Sequence, residues 1–399
     1  MNKHNFLNAT CLVSARMISD VGNWISRIAV LALVLEINGA ASSVSFVSIV
    51  SLIPYILFSP LAGKVVDRYN QKWILICGDF LRSVLVMCIP VFKTNMLVIL
   101  FLINLVSTFT DVCNDSIVPF IVESRQLKHV NSINSTISSL IMVLGPSLSG
   151  ILTALFPVEI CFYLDSASYL VSGLLLLGIH YEHHSHNISG SSVAKEGTFL
   201  ETLRYIRSTP KLFSIIITIA AIGLAAGVLN SLLIVYVYRY MNQSSAGYGL
   251  LLSSKGAAML ITSILLYKIV ENVSCEKIFN ISLLGLGLSL VVFPLNSKFA
   301  IGLVIQAVNG MCNAGYAVSR VSLIQLSSDP SQLGKVFSVN SLLSNVFSIT
   351  SLGIFGVLAD YIGVRTVLLI GGGIVVLASM YSVVAFRKSD TIKDPKRIN

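Results

Sequence analysis

Ten ionisable side chains stand inside long apolar runs of this sequence: Arg16, Asp20, Arg27, Asp79, Arg82, Asp111, Asp115, Asp165, Lys255 and Arg320. Charge in such surroundings is costly and marks functional candidates. Asp111 and Asp115 are four residues apart, so a helix puts both on one face. Two carboxylates side by side in an apolar surround repel each other and lose hydration, and one of them can then hold a proton near neutral pH. Glu is absent from the interiors of these runs, so a proton carrier deep within them must be Asp. Asp20 is a further candidate, or a structural partner of Arg16 or Arg27. Asp79 and Arg82, three apart, read chiefly as a structural ion pair at the inner membrane edge. Asp165 reads as either packing-polar or functional. Lys255 sits near the outer third of its run, from which a long side chain can snorkel outward.

The surrounding composition says what must position these groups. Of 399 residues 55% are hydrophobic and only 11% charged, and the mean hydropathy is +0.83. Soluble domains carry about 25% charged residues, so the chain reads as a membrane protein. Apolar runs long enough to span a bilayer lie at 9–36, 43–63, 73–92, 96–120, 131–156 and 159–180, then at 211–238, 244–269, 277–295, 299–327, 335–359 and 363–386. The expected architecture is all-α, with twelve transmembrane helices in two six-helix halves. The halves are 1–180 and 211–386, with a central loop at 181–210 and a basic tail at 387–399.

With both termini inside, eighteen Lys and Arg residues fall in cytoplasmic segments, four in outer ones and five within spans, which accounts for all 27. That asymmetry fixes the expected orientation. The net charge of +9 is therefore topological, and no basic, aromatic-bearing surface suited to nucleic acid is evident. The seven cysteines form no CxxC pair and read as packing residues. HYEHHSH at 180–186 reads as a solvated loop, although such tracts can bind metal. The first run carries three charges, unlike a cleavable signal.

The halves are related. Shifted by 206, QLKHVNSINSTISSL (126–140) lies on QLGKVFSVNSLLSNV (332–346), and Gly150 lies on Gly356. Parallel six-helix repeats place such a match at equivalent connections. The same shift sets Arg320 on Asn114, beside Asp115, making it a counter-ion for Asp115 or Asp111, or an anion anchor.

Between the second and third runs stands GKVVDRYNQKW (63–73), with Gly63, Asp67, Arg68 and Lys72 in the pattern Gly-x-x-x-Asp-Arg-x-x-x-Lys. It resembles the signature loop of the major facilitator superfamily, and YKIVENVSCEK (267–277), with Glu271, resembles its worn second copy. In this loop Gly63 would let the helix end close to a neighbouring backbone, Asp67 would cap a helix N-terminus, and Arg68 would pair with Asp67 or with carbonyls at a helix C-terminus. Asn70 stands where a left-handed conformation is common. VLGPSLSGIL (143–152) resembles the antiporter motif of drug–proton exchangers through Gly145, Pro146 and Gly150. SDVGNWISRIAVLALV (19–34) and FYLDSASYLVSG (162–173) are similar to the macrolide-efflux and siderophore-exporter branch.

The resemblance implies a secondary active transporter working by alternating access, not an enzyme. The foremost expectation is a proton-coupled exporter of a drug-like or siderophore-like molecule, monomeric, in a bacterial inner membrane. An importer, a uniporter or a lipid-flipping protein are the alternatives. Asp20, Asp111 and Asp115 are then the proton-coupling candidates, and Arg27, Asn114, Tyr236, Tyr316 and Arg320 the candidates to line the substrate cavity. Tyr55, Phe109 and Tyr238 join them as aromatics that could stack on a substrate or merely pack. No GxxxxGK[ST] loop occurs, so the energy source implied is an ion gradient, with no cofactor.

Overall fold

A computed structural model describes residues 3–121, 127–179, 199–270, 273–329 and 332–393. Thirteen α-helices account for most of them. In chain order they are α1 (Lys3–Asn38), α2 (Ala41–Arg68), α3 (Gln71–Cys88), α4 (Met96–Ile121), α5 (Leu127–Leu155), α6 (Val158–Leu177) and α7 (Phe199–Ser208). There follow α8 (Pro210–Tyr240), α9 (Ser245–Val270), α10 (Cys275–Val292), α11 (Phe299–Ser327), α12 (Leu333–Ile362) and α13 (Val364–Lys393). No strand occurs among the described residues. In hydrocarbon every backbone N–H and C=O must be satisfied within its own segment, which leaves helices as the solution for these runs.

Eleven of the described helices are long and apolar enough to cross a membrane. α3 is the exception among the long ones, because its 18 residues include Lys72, Asp79 and Arg82. Counting α3, the helices agree with the expected twelve. Two boundaries differ from expectation. The central segment ends in a helix, α7, whose Thr202 and Ile206 are buried while Arg204 and Arg207 are exposed. α13 runs on to Lys393, through residues expected to lie in the tail.

The packing repeats. α1 packs on α5 and α6, and α3 on α4 and α6; α8 packs on α12 and α13, and α10 on α11 and α13. The shift of 206 carries the start of α5 from Leu127 to Leu333 and that of α6 from Val158 to Val364. Two compact units result. The first holds α1, α3–α6, most of α2 and the opening residues of α9. The second holds α7, α8, α10–α13, most of α9 and the opening residues of α2. Each has an apolar core, around Leu75, Ile117 and Leu176 in the first and around Leu212, Phe279 and Phe386 in the second. Large apolar side chains also point outward, such as Leu57, Leu326 and Leu377, as a lipid solvent permits.

Small residues set the closest approaches. In the first unit a Cβ on Gly150 would run into the backbone of Ser245 and Ala246 on α9, and one on Gly249 into that of Pro146. The Ser147 N–H donates to Ser253 Oγ at 3.1 Å, and Ser245 Oγ donates to the Gly150 carbonyl at 3.3 Å. The Gly-Pro stretch of α5 therefore makes a tight helix crossing with α9.

Candidate functional site

The first unit holds a polar cluster that runs from its buried interior to Asp111 at an exposed position on α4. α3 contributes Asp79 and Arg82, only 2% and 4% exposed, which form an ion pair. Ser172 Oγ donates to the second Asp79 oxygen at 2.6 Å. The guanidinium of Arg82 lies 4.4 Å from the centre of the Tyr169 ring and donates to Ser107 Oγ at 3.5 Å. The Tyr169 hydroxyl donates to Asn23 Oδ1 on α1. Asn23 is also within hydrogen-bonding reach of Asp20. On α4, Asp111 Oδ2 accepts from the Tyr55 hydroxyl of α2 at 2.8 Å. Asp20 lies within electrostatic reach of Arg16, Asp111 and Arg82.

Asp165, 1% exposed on α6, adjoins the same cluster. Ser168 donates to it at 3.4 Å, and Ser26 and Arg82 are within interacting range. Gly22 makes room for it, since a Cβ there would collide with Ser168 Oγ and Asp165 Oδ1. Four helices, α1, α3, α4 and α6, thus place Asp20, Asp79, Asp111 and Asp165 around Arg82, with Arg16 the other guanidinium near Asp20. Carboxyl groups outnumber guanidinium groups here. Such a cluster can take up a proton and redistribute it through hydroxyl and amide groups.

Beside the cluster a cleft of about 260 Å³ is lined by Asp20, Asn23, Trp24, Arg27, Ser138 and Ile141. Arg27 lies over the Trp24 ring, 5.3 Å from its centre. Gly145 explains how Trp24 fits, because a Cβ there would overlap the indole. The cleft offers one carboxylate, one guanidinium and one aromatic face to a small molecule.

The expected site residues thus separate. Asp20, Arg27 and Gly145 meet around the cleft, and Asp20, Asp79, Arg82, Asp111 and Asp165 in the polar cluster. The Asp79–Arg82 ion pair is buried and is joined to this cluster through Ser172 and Tyr169. Tyr236 is taken up in structure: its hydroxyl donates to the carbonyls of Pro294 and Asn296, both at 2.9 Å, and its ring stacks on Tyr240. It is fully buried and has no face left for a substrate. In the second unit Tyr316 and Arg320 are adjacent on α11, with the guanidinium 5.4 Å from the ring centre. Lys255 lies on α9, its backbone pressed against Gly310. Asn114 is half-buried on α4. The side chains of Asp67 and Asp115, all of 180–186, and Glu271 lie outside what is described.

The charged loop between α2 and α3 departs from expectation in two places. Gly63 lies within α2, which continues to Arg68, and a Cβ there would meet nothing within 4 Å. Asn70 is not left-handed: at φ −65° it caps α3, and its Oδ1 accepts from the Lys72 N–H at 3.0 Å. The cation at a helix C-terminus is Lys72, whose Nζ donates to the Leu177 carbonyl of α6 at 3.0 Å, while Arg68 lies near the Tyr69 ring.

Tyr169, Asn23, Ser107 and Ser172 were not picked out from the sequence. Asp165, Tyr169 and Ser172 do stand at i, i+4 and i+7, the spacing of a single helix face. That spacing was the available signal.

A family model described as transmembrane secretion effector matches residues 8–395. Macrolide efflux protein A of Streptococcus pyogenes is 21% identical over 91% of this chain and 92% of its own length. The staphyloferrin A transporter of Staphylococcus aureus is 21% identical over 70% of this chain and 72% of its own. A crystal structure of the nucleoside transporter NupG superposes with a TM-score of 0.76 at 12% identity, covering 95% of this chain and 99% of that one. At that identity the likeness concerns the fold.

Proposed function

Since this chain belongs to the transmembrane secretion effector family of major facilitator transporters, we propose that it is a proton-coupled exporter of a small molecule, working by alternating access in a bacterial inner membrane with both termini cytoplasmic. That it is a multi-pass membrane transporter follows from the family; export and proton coupling are the proposal. The observation that carries it is the excess of carboxyl over guanidinium groups around Arg82, with Asp20 at once in that cluster and on the cleft.

A proton arriving at Asp20 or Asp111 neutralises a charge that Arg82 and Arg16 only partly balance. Neighbouring carboxylates repel one another, so their full ionisation is unfavourable and the site itself favours uptake. Asp20 on the cleft is positioned to link that step to a bound solute. The Tyr55–Asp111 bond joins α2 to α4, and the Tyr169–Asn23 bond joins α6 to α1. A change of protonation would thus be felt by four helices. Asp115, next in line on α4, remains the third candidate carrier. The names of the similar proteins favour export over import.

The test is efflux from inside-out vesicles against macrolides, cationic dyes and siderophores, with and without a protonophore. Protonophore should abolish accumulation of the transported compound. Asp20→Asn and Asp111→Asn should each lower proton-driven transport by ten-fold or more. Undiminished, protonophore-resistant transport in the double variant would overturn the proposal.

A further inference from the structure

The interior of the second unit has the opposite electrical character. Its two ionisable residues deep in helices are both cationic, Lys255 on α9 and Arg320 on α11. No described carboxylate pairs with either. Three described acidic side chains of this unit sit at or beside helix ends and are engaged there. Glu276 pairs with Lys211 at 2.5 Å, and Asp360 accepts from the N–H groups of Ala41 and Ser42 at 2.8 and 3.2 Å. Asp329 meets the Tyr205 hydroxyl.

Arg320 keeps its charge under all accessible conditions. Its Nε is buried and makes no hydrogen bond. Beside it stands the Tyr316 hydroxyl, on a residue 4% exposed. That hydroxyl is close to both Thr218 and Arg320, yet it too makes no hydrogen bond of normal geometry. The Thr218 hydroxyl gives its own proton to the Ile215 carbonyl at 2.7 Å. Two adjacent donors, the buried Tyr316 hydroxyl and the buried Nε of a half-buried guanidinium, thus lie together with no described anionic acceptor. Buried donors are almost always satisfied, and a buried charge is paired.

We propose that Arg320 and Tyr316 form an anion site in the second unit, and that the exported solute carries at least one carboxylate, which they bind. A carboxylate presents two oxygens in one plane, matching a guanidinium edge and a neighbouring hydroxyl donor. The inference rests on the reading of the chain as an exporter, and it narrows the cargo from small molecules in general to acids.

The test is binding to purified full-length protein in phosphatidylcholine nanodiscs, with no gradient present. Succinate and citrate are the probes, dimethyl succinate and trimethyl citrate their uncharged analogues, and inorganic phosphate a third arm. Succinate or citrate should raise the thermal midpoint and the esters should not. Arg320→Gln should weaken carboxylate binding at least ten-fold, and Arg320→Lys should restore part of it. Tyr316→Phe, which keeps the packing, should weaken it about three-fold or more.

Equal stabilisation by the esters, or unchanged binding in both Arg320→Gln and Tyr316→Phe, would overturn the proposal. So would a response to phosphate alone, or to none of the acids. Asp20→Asn with Asp111→Asn should leave acid binding in place while abolishing proton-driven efflux. Binding that survives when protonophore has no effect on export would therefore sink the coupling scheme alone. Proton-driven export of an uncharged dye without acid binding would sink this inference alone.

Discussion

The two units are built on one repeat, yet their interiors carry opposite charge. Around Arg82 in the first unit carboxyl, guanidinium, hydroxyl and amide groups are joined into a network. Around Arg320 in the second unit a guanidinium and a hydroxyl lie together without acceptors. The same packing of helices thus holds an ion-paired polar cluster in one place, although the Arg82 Nε itself has no acceptor, and a pair of donors without a described carboxylate in the other. A repeat conserves packing, and its polar positions are free to diverge. On the proposals above, the first unit handles the proton and carries the cleft beside Asp20, and the second unit adds the acid-binding pair Arg320 and Tyr316.

The sharpest way to break this comparison is to remove each arginine. Arg82→Gln strands Asp79 at 2% exposure with only Ser172 for company. Breaking a buried pair by removing one partner costs about 3–5 kcal/mol, so the variant should unfold at much lower temperature or fail to accumulate. Arg320→Gln strands no described carboxylate. It should change stability by about 1 kcal/mol or less, since no buried counter-charge is left behind. Thermal unfolding of both variants in the same detergent checks this. Equal losses would mean that Arg320 is a structural residue like Arg82.

Glycine contacts give the next largest effects. A Cβ at Gly22 would overlap Asp165 and Ser168 within the polar cluster, and one at Gly310 would overlap the Lys255 carbonyl. Overpacking of this kind costs about 1–3 kcal/mol. Gly22→Ala should lower stability and proton-driven transport together, because it pushes α1 away from α6. Gly310→Ala meets backbone rather than flexible side chain and should lower stability alone. Unfolding midpoints and vesicle efflux on the same preparations separate the two outcomes.

Much of the frame was legible in the sequence. Twelve apolar runs, the asymmetry of basic loops and the shift of 206 anticipate the helices and their order because burial in lipid leaves little choice of backbone structure. The helix α7 was missed because its segment is polar overall. Yet Phe199, Leu203 and Ile206 stand at i, i+4 and i+7, enough to form one apolar stripe. The site was less legible. Asp20, Asp79, Arg82, Asp111 and Asp165 are conspicuous as charges among apolar residues, but nothing linear shows that Arg82 lies among them. Tyr236 illustrates the converse. Its aromatic ring in an expected cavity helix suggests substrate stacking, whereas two free carbonyls near residue 295 claim its hydroxyl. Partners distant in sequence decide such roles, and they become visible only when the helices are packed.

The finest test of the comparison uses two buried tyrosines. Tyr169 donates to Asn23, while the Tyr316 hydroxyl is buried without a hydrogen bond. Removing a satisfied hydroxyl forfeits about 1 kcal/mol and leaves Asn23 with an unmet acceptor. Removing an unsatisfied one forfeits nothing and relieves a desolvated dipole. Tyr169→Phe should therefore lower the unfolding midpoint, and Tyr316→Phe should leave it unchanged or raise it slightly. Both changes delete one oxygen and keep the ring, so packing contributes equally. If Tyr316→Phe were instead as destabilising as Tyr169→Phe, the hydroxyl beside Arg320 would have a structural partner, and the second unit's donors would not be held in reserve for an anion.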